Sequence, residues 1–340
     1  MQEMIISKKQ IASFLNNLIR QYKVFAPIKR DSFVLFGEIH SSNEALLNFA
    51  NSKIPPKEIF FPQSERLFAY SLTSGEAKIK EPLPVEKRLV FGIRPCDAKS
   101  LVILDSVFDG ETYKDVSYAD RRGKTLVIAL GCNSPSSTCF CTSLGGDPFS
   151  ADGSDLLLVD LGEEYVAQVV TERGREFVEE QNEYFGGVGG HSLDAMNDVV
   201  RAAEAAMKPK VKVGEIKEKL DDIFDDQIWS SLSERCLGCA ICTYLCPTCH
   251  CFDIVDEAID REGERVRIWD SCMFPLFTLQ ASGVNPRPTG KERVRQRIMH
   301  KFSYFVDNYG QRACVGCGRC IKNCPVNLDI REVLNSISNR

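Results

Sequence analysis

Two runs of cysteine constrain this chain more than any other feature. The first reads Cys236-Leu-Gly-Cys239-Ala-Ile-Cys242-Thr-Tyr-Leu-Cys246-Pro247, and the second Cys314-Val-Gly-Cys317-Gly-Arg-Cys320-Ile-Lys-Asn-Cys324-Pro325. Both show the spacing C-x₂-C-x₂-C-x₃-C-P, which holds [4Fe–4S] clusters. Three closely spaced thiolates wrap one face of a four-iron cube, while the fourth, beside the proline, points at the neighbouring cube. The expected ligand sets are therefore crossed. Cys236, Cys239 and Cys242 go with Cys324, and Cys314, Cys317 and Cys320 go with Cys246. A zinc site usually takes its ligands from two separated pairs, so this spacing favours clusters over zinc.

The rest of the composition fits that reading. There are 15 cysteines in 340 residues, and none precedes Cys96. The N-terminus has no secretory pattern, and no apolar run approaches the length of a spanning helix. A cytoplasmic protein is expected, in which clustered thiols serve metals rather than disulfides. The formal net charge of −5 argues against a nucleic-acid binder.

A length of 340 residues suggests two domains. Short β-branched or aromatic runs at Phe33–Phe36, Ile59–Phe61, Arg88–Ile93, Thr125–Leu130, Leu156–Val159 and Tyr165–Val170 read as strands. Ile11, Phe14, Leu15, Leu18 and Ile19 recur at helical spacing, with Ser7 and Gln10 as a capping box. Asp97–Asp105 also reads as helix. The first 207 residues are thus expected to form an α+β or α/β domain with a mixed sheet. Gly186–Gly190 lacks G-x-G-x-x-G spacing and reads as a loop. Ala195–Met207 and Ile216–Phe224 are helical in period, separated by Lys208-Pro209-Lys210, so 208–228 is expected to be a helical connector. Residues 229–340 are expected to form an all-helical, two-cluster ferredoxin-like domain. The long gap between Cys246 and Cys314, unlike that of compact bacterial ferredoxins, would be filled by helices.

Two strands of the first half run straight into cysteines. Leu89–Ile93 leads to Arg94-Pro95-Cys96-Asp97, and Leu126–Leu130 leads to Gly131-Cys132. Ligand sites gather at the carboxyl ends of strands in α/β sheets, so these thiols should converge there. With Cys139 and Cys141 they give a third four-thiolate set: Cys96, Cys132, Cys139 and Cys141. Three [4Fe–4S] clusters are expected, with no flavin or nicotinamide bound by this chain.

Cys249, Cys251 and Cys272 are left over. They read first as structural thiols, and otherwise as part of a fourth metal site with His250 or Asp270. His40 and His191 have no partner pattern. The basic run Arg287, Lys291, Arg293, Arg295 and Arg297, followed by His300 and Lys301, reads first as a solvated helix face. Its functional alternative is to stabilise reduced clusters or dock an acidic partner.

With these motifs placed, the chain resembles the beta subunit of cytoplasmic sulfhydrogenases ([NiFe] hydrogenases) and the iron–sulfur subunit of anaerobic sulfite reductases. The carrying residues are Phe61-Pro62-Gln63-Ser64-Glu65, Gly92–Asp97, Gly131-Cys132, Cys139-Phe140-Cys141, Asp155–Leu161 with Gly162, Cys246–Asp253, Trp269-Asp270-Ser271-Cys272 and Cys314–Pro325. The resemblance implies a non-catalytic electron-transfer subunit of a hetero-oligomeric, anaerobic oxidoreductase. Its partners would be an FAD- and NAD(P)H-binding subunit together with a catalytic subunit of hydrogenase, sulfite reductase or heterodisulfide-reductase-like type, with no nucleic acid and no membrane. Two other functions compete: a sulfur or polysulfide reductase reacting at Cys249, Cys251 or Cys272, and a zinc-stabilised scaffold.

Overall fold

The computed structural model describes residues 2–73, 76–81, 85–207 and 211–340. The strands are β1 (Gln2–Ser7), β2 (Lys23–Arg30), β3 (Phe33–Glu38), β4 (Ser64–Thr73), β5 (Glu76–Lys80), β6 (Arg88–Ile93), β7 (Thr125–Leu130), β8 (Leu156–Asp160), β9 (Glu164–Val169), β10 (Gly186–Gly187), β11 (Phe252–Ile259) and β12 (Glu262–Trp269). The helices of the first half are α1 (Lys8–Ile19), α2 (Pro95–Phe108), α3 (Val116–Gly123), α4 (Glu172–Glu180) and α5 (Gly190–Ala206). Those that follow are α6 (Ile216–Asp222), α7 (Ile228–Glu234), α8 (Ile241–Tyr244), α9 (Gly290–Met299), α10 (Phe305–Tyr309), α11 (Arg319–Lys322) and α12 (Ile330–Ser338). Among the described residues, no helix is long and apolar enough to cross a membrane.

The first half is a mixed sheet, as its strand and helix signals imply. Eight strands run in the order β10-β1-β9-β8-β7-β6-β2-β3, with β2, β6, β7 and β8 mutually parallel and the edges antiparallel. Every residue of β7 is buried, because parallel strands are covered on both faces. On one face α1 sets Phe14, Leu15 and Leu18 against Phe91, Ile128 and Leu156. On the other, Leu101, Leu104 and Phe108 of α2 meet Val90, Val127 and Leu157. Ser7 does cap α1, but its hydroxyl accepts from the Lys9 N–H, one position earlier than a capping box requires.

Three local expectations change. Ile59–Phe61 is not a strand: the chain makes a 3₁₀ turn over Pro56–Ile59, where two consecutive prolines preset φ, and its apolar residues are buried without pairing. Gly186 and Gly187 are not wholly loop but pair with β1 as a two-residue edge strand. Lys208-Pro209-Lys210 lies outside the described residues.

The largest correction is in the second half, which is helical but not all-helical. β11 and β12 form a hairpin closed by Asp260-Arg261, with Asp260 in the left-handed region at φ 56°. This hairpin extends β4 and β5 into a second sheet, β11-β12-β4-β5. The outer strand β11 is almost wholly exposed and carries Asp253, Asp256 and Glu257, residues of low strand propensity, so its signal is faint. Burial instead lies under β12, where Trp269 stacks on Phe61. There the buried Glu65 carboxylate of β4 accepts from both Arg121 of α3 and Arg267 of β12, and Arg267 also reaches Asp115. The hairpin is thereby tied to the main sheet by charge as well as by packing.

Candidate metal centres

The two cysteine runs fold alike because the same backbone turns are needed to aim three thiols inward. In the first, Gly238 and Ala240 flank Cys239 with φ of 66° and 62°; in the second, Gly316 and Gly318 flank Cys317 with φ of 65° and 72°. Paired left-handed residues curl each loop, after which a single helical turn (α8 or α11) carries the third cysteine. Ala240 alone is not glycine at these positions, and it carries the modest penalty of an L-residue there. Backbone N–H groups face the sulfurs: Gly238 N donates to Cys236 Sγ at 3.4 Å, and Leu328 N to Cys324 Sγ at 3.2 Å.

The thiols gather round three cavities. The first is lined by Cys236, Cys239, Cys242 and Cys324. The second is lined by Cys246, Cys314, Cys317 and Cys320. In both, the fourth thiol comes from the other run. The third cavity is lined by Cys96, Cys132, Cys139 and Cys141. Cys96 begins α2 just beyond β6 and Cys132 lies just beyond β7, so two adjacent parallel strands deliver these thiols from their carboxyl ends. The cavities share walls. Cys317 lines the second and the third, and Cys320 lines the first and the second. They therefore form a row whose middle member is the Cys246/Cys314/Cys317/Cys320 site.

The junction between the third and second cavities is held closely. Phe140 N donates to Gly316 O at 2.8 Å, and Cys139 Sγ lies 3.7 Å from Cys317 O. Asp97, next to Cys96, accepts two bonds from Arg319 of the second run, at 2.6 and 2.7 Å, with both side chains buried. Arg94 donates to the carbonyls of Phe49, Leu130 and Gly131 while lining the third cavity, a cation placed beside Cys132 and Cys96. Burial pushes the Cys314 thiol up to about 12, and burial with the neighbouring Cys139 does the same for Cys141. Thiols so placed release protons when they take a metal.

The donor chemistry fits iron–sulfur clusters. Among the described residues, no three His, Cys, Asp or Glu side chains converge on a point where a single ion would sit. Each set of four thiols instead surrounds a cavity with largely apolar walls, such as Ile298, Ile330 and Val333 of the first, as a four-iron cube requires.

The leftover cysteines line none of these three cavities. Cys249 lies beside Cys246, and Cys251 lies against Cys272 at the base of the hairpin. His250 Nδ1 lies 3.0 Å from Thr248 O, and burial lowers the imidazole to about 4, so it is neutral at pH 7. The basic run is only partly the solvated face its composition suggests. Arg297 lines the first and second cavities, and Lys301 reaches into the second. Their four-residue spacing, with Ile298 and Phe302 buried beside them, is the one sequence signal that sets them apart from the rest of the run.

No solved structure matches the chain. Residues 235–328 match the family model of a 4Fe-4S dicluster domain, a stretch that runs from just before Cys236 to just beyond Cys324. Over 325 residues, covering 95% of each chain, the protein is 32% identical to "Sulfhydrogenase 2 subunit beta" of Pyrococcus furiosus. With a likeness of that extent, and with the thiols of both runs grouped as an iron–sulfur protein requires, the chain belongs to the sulfhydrogenase beta-subunit family.

Proposed function

We propose that this chain is a three-cluster electron relay within a hetero-oligomeric oxidoreductase. In this reading one [4Fe–4S] cluster is held by Cys96, Cys132, Cys139 and Cys141. A second is held by Cys246, Cys314, Cys317 and Cys320, and a third by Cys236, Cys239, Cys242 and Cys324. Residues 1–207 carry the first and residues 229–340 the other two, joined through 208–228. Such clusters exchange one electron at a time. The chain's own residues supply the thiolates, the apolar walls that exclude water and the buried cations that offset negative charge. The observation that carries the reading is the row of three four-thiol cavities with shared walls. At one end of it Cys239 is exposed, open to a partner. The partners proposed are an FAD- and NAD(P)H-binding subunit together with a catalytic subunit, in the cytoplasm.

Iron and acid-labile sulfide analysis after anaerobic purification tests this directly. About twelve of each per chain are expected from three four-iron clusters. A count near eight removes the Cys96 set, one near sixteen enlists Cys249, Cys251 and Cys272, and zinc in place of iron overturns the reading. Crossed ligation has its own signature: Cys324→Ser should damage the cluster of Cys236, Cys239 and Cys242 and leave that of Cys314 intact.

A further inference from the structure

Lys301 is a buried ammonium whose placement the thiol count does not explain. It lies in a short π-helical segment, His300–Tyr304, between α9 and α10, and is 2% exposed. Single-turn π segments inside helices recur at functional sites, because they re-aim a side chain that an unbroken helix would direct elsewhere. Its Nζ donates to Cys246 Sγ at 3.3 Å, to Thr248 Oγ1 at 3.2 Å and to Ala313 O at 3.0 Å. The Thr248 hydroxyl proton is itself committed to Ala313 O at 2.7 Å, which leaves the ammonium as the charged donor to the sulfur.

No carboxylate balances this charge. Among the described residues Lys301 makes no ion pair, and neither does Arg297, one turn earlier on the same face, whose Nε is buried without a partner. Removing a lone ammonium from water costs several kcal/mol, and a chain keeps such a group only where an anion offsets it. Thiolates of the middle site are the anions within reach.

We propose that Lys301 is a positioning residue that raises the reduction potential of the middle site through Cys246, so that the electron can rest between the two ends of the row. The proposal rests on the ligand assignment given above. A positive charge beside a ligand sulfur favours the more negative, reduced state, and low local polarity strengthens the effect. Arg297, on the wall between the first and middle cavities, acts in the same direction on both.

The test is an anaerobic redox titration of the cluster-loaded chain, followed by electron paramagnetic resonance, for the wild type, Lys301→Met and Lys301→Arg. In the Met variant one of the three midpoints should fall by at least ~59 mV, a tenfold loss in the one-electron reduction equilibrium. The other two should not move, and the Arg variant should recover most of the change. If Lys301→Met fails to keep its iron, Lys301→Gln, which retains a donor for Cys246 Sγ and Ala313 O without the charge, should lower the same midpoint. No shift, or an equal shift in all three clusters, overturns the proposal. Iron near twelve per chain with unmoved midpoints would defeat the tuning role and leave the relay standing. Loss of the middle cluster signal from the wild type would defeat the ligand assignment itself.

Discussion

Arg319 stands between Cys317 and Cys320, and its guanidinium reaches out of its own run to Asp97, Asn51 and Ser52. A buried pair of this kind adds little net stability, but removing one partner leaves a charge with no compensation, at a cost of roughly 3–5 kcal/mol. Asp97→Asn should therefore lower the denaturant midpoint sharply and loosen iron at the Cys96 site. The double change Asp97→Asn with Arg319→Met should cost less than the single one, because neither charge is then stranded. Unfolding curves of the three proteins decide it, and a double variant worse than Asp97→Asn would mean that Arg319 works mainly through Asn51 and Ser52. At this scale the thiols are legible in sequence because cluster spacing is local. The charges are not. Nothing in Gly-Arg319-Cys or Cys96-Asp97 announces that two residues over 200 positions apart will pair.

Elements extend the same logic. Each motif loop must curl tightly, and Gly316 shows how tightly. Its φ is 65°, and a Cβ there would lie 2.6 Å from Cys141 N and Phe140 C. Gly316→Ala should therefore combine left-handed strain of about 1–2 kcal/mol with a backbone collision that pushes the Cys139–Cys141 loop away. Iron should be lost from the middle and the Cys96 sites together, while the Cys236 site keeps its signal. Gly186→Ala, where a Cβ meets open space, is the matched control and should change neither iron content nor melting temperature appreciably. If Gly316→Ala spared the Cys96 site, the contact between the two loops would not be what holds it. The helices and parallel strands are readable from periodicity and from continuous apolar runs. The hairpin β11–β12 is not, since its outer strand buries almost nothing and its inner strand is stabilised by Glu65, which lies about 200 residues earlier.

For the whole molecule, the row of cavities decides what the chain can accept from outside. Its thiols offer one-electron carriers, whereas a nicotinamide delivers a hydride, two electrons with a proton, so a flavin must stand between them to split the pair. The row reaches the surface at Cys239, where the neighbouring Leu237 is 68% exposed, and a protein carrying such a flavin would have to approach a site of this sort closely. The purified, cluster-loaded chain should then bleach rapidly with a strong low-potential one-electron reductant and stay coloured in excess NADH or NADPH. Adding a flavin-bearing partner should restore bleaching by the nicotinamide, at a rate that rises with the partner's concentration until its site is filled. The measurement is anaerobic and optical, at the visible absorbance of the clusters, on protein shown to be free of flavin. Rapid bleaching by NADH alone would place a nucleotide site on this chain. It would also make the chain an entry point for hydride rather than a conductor between two partners.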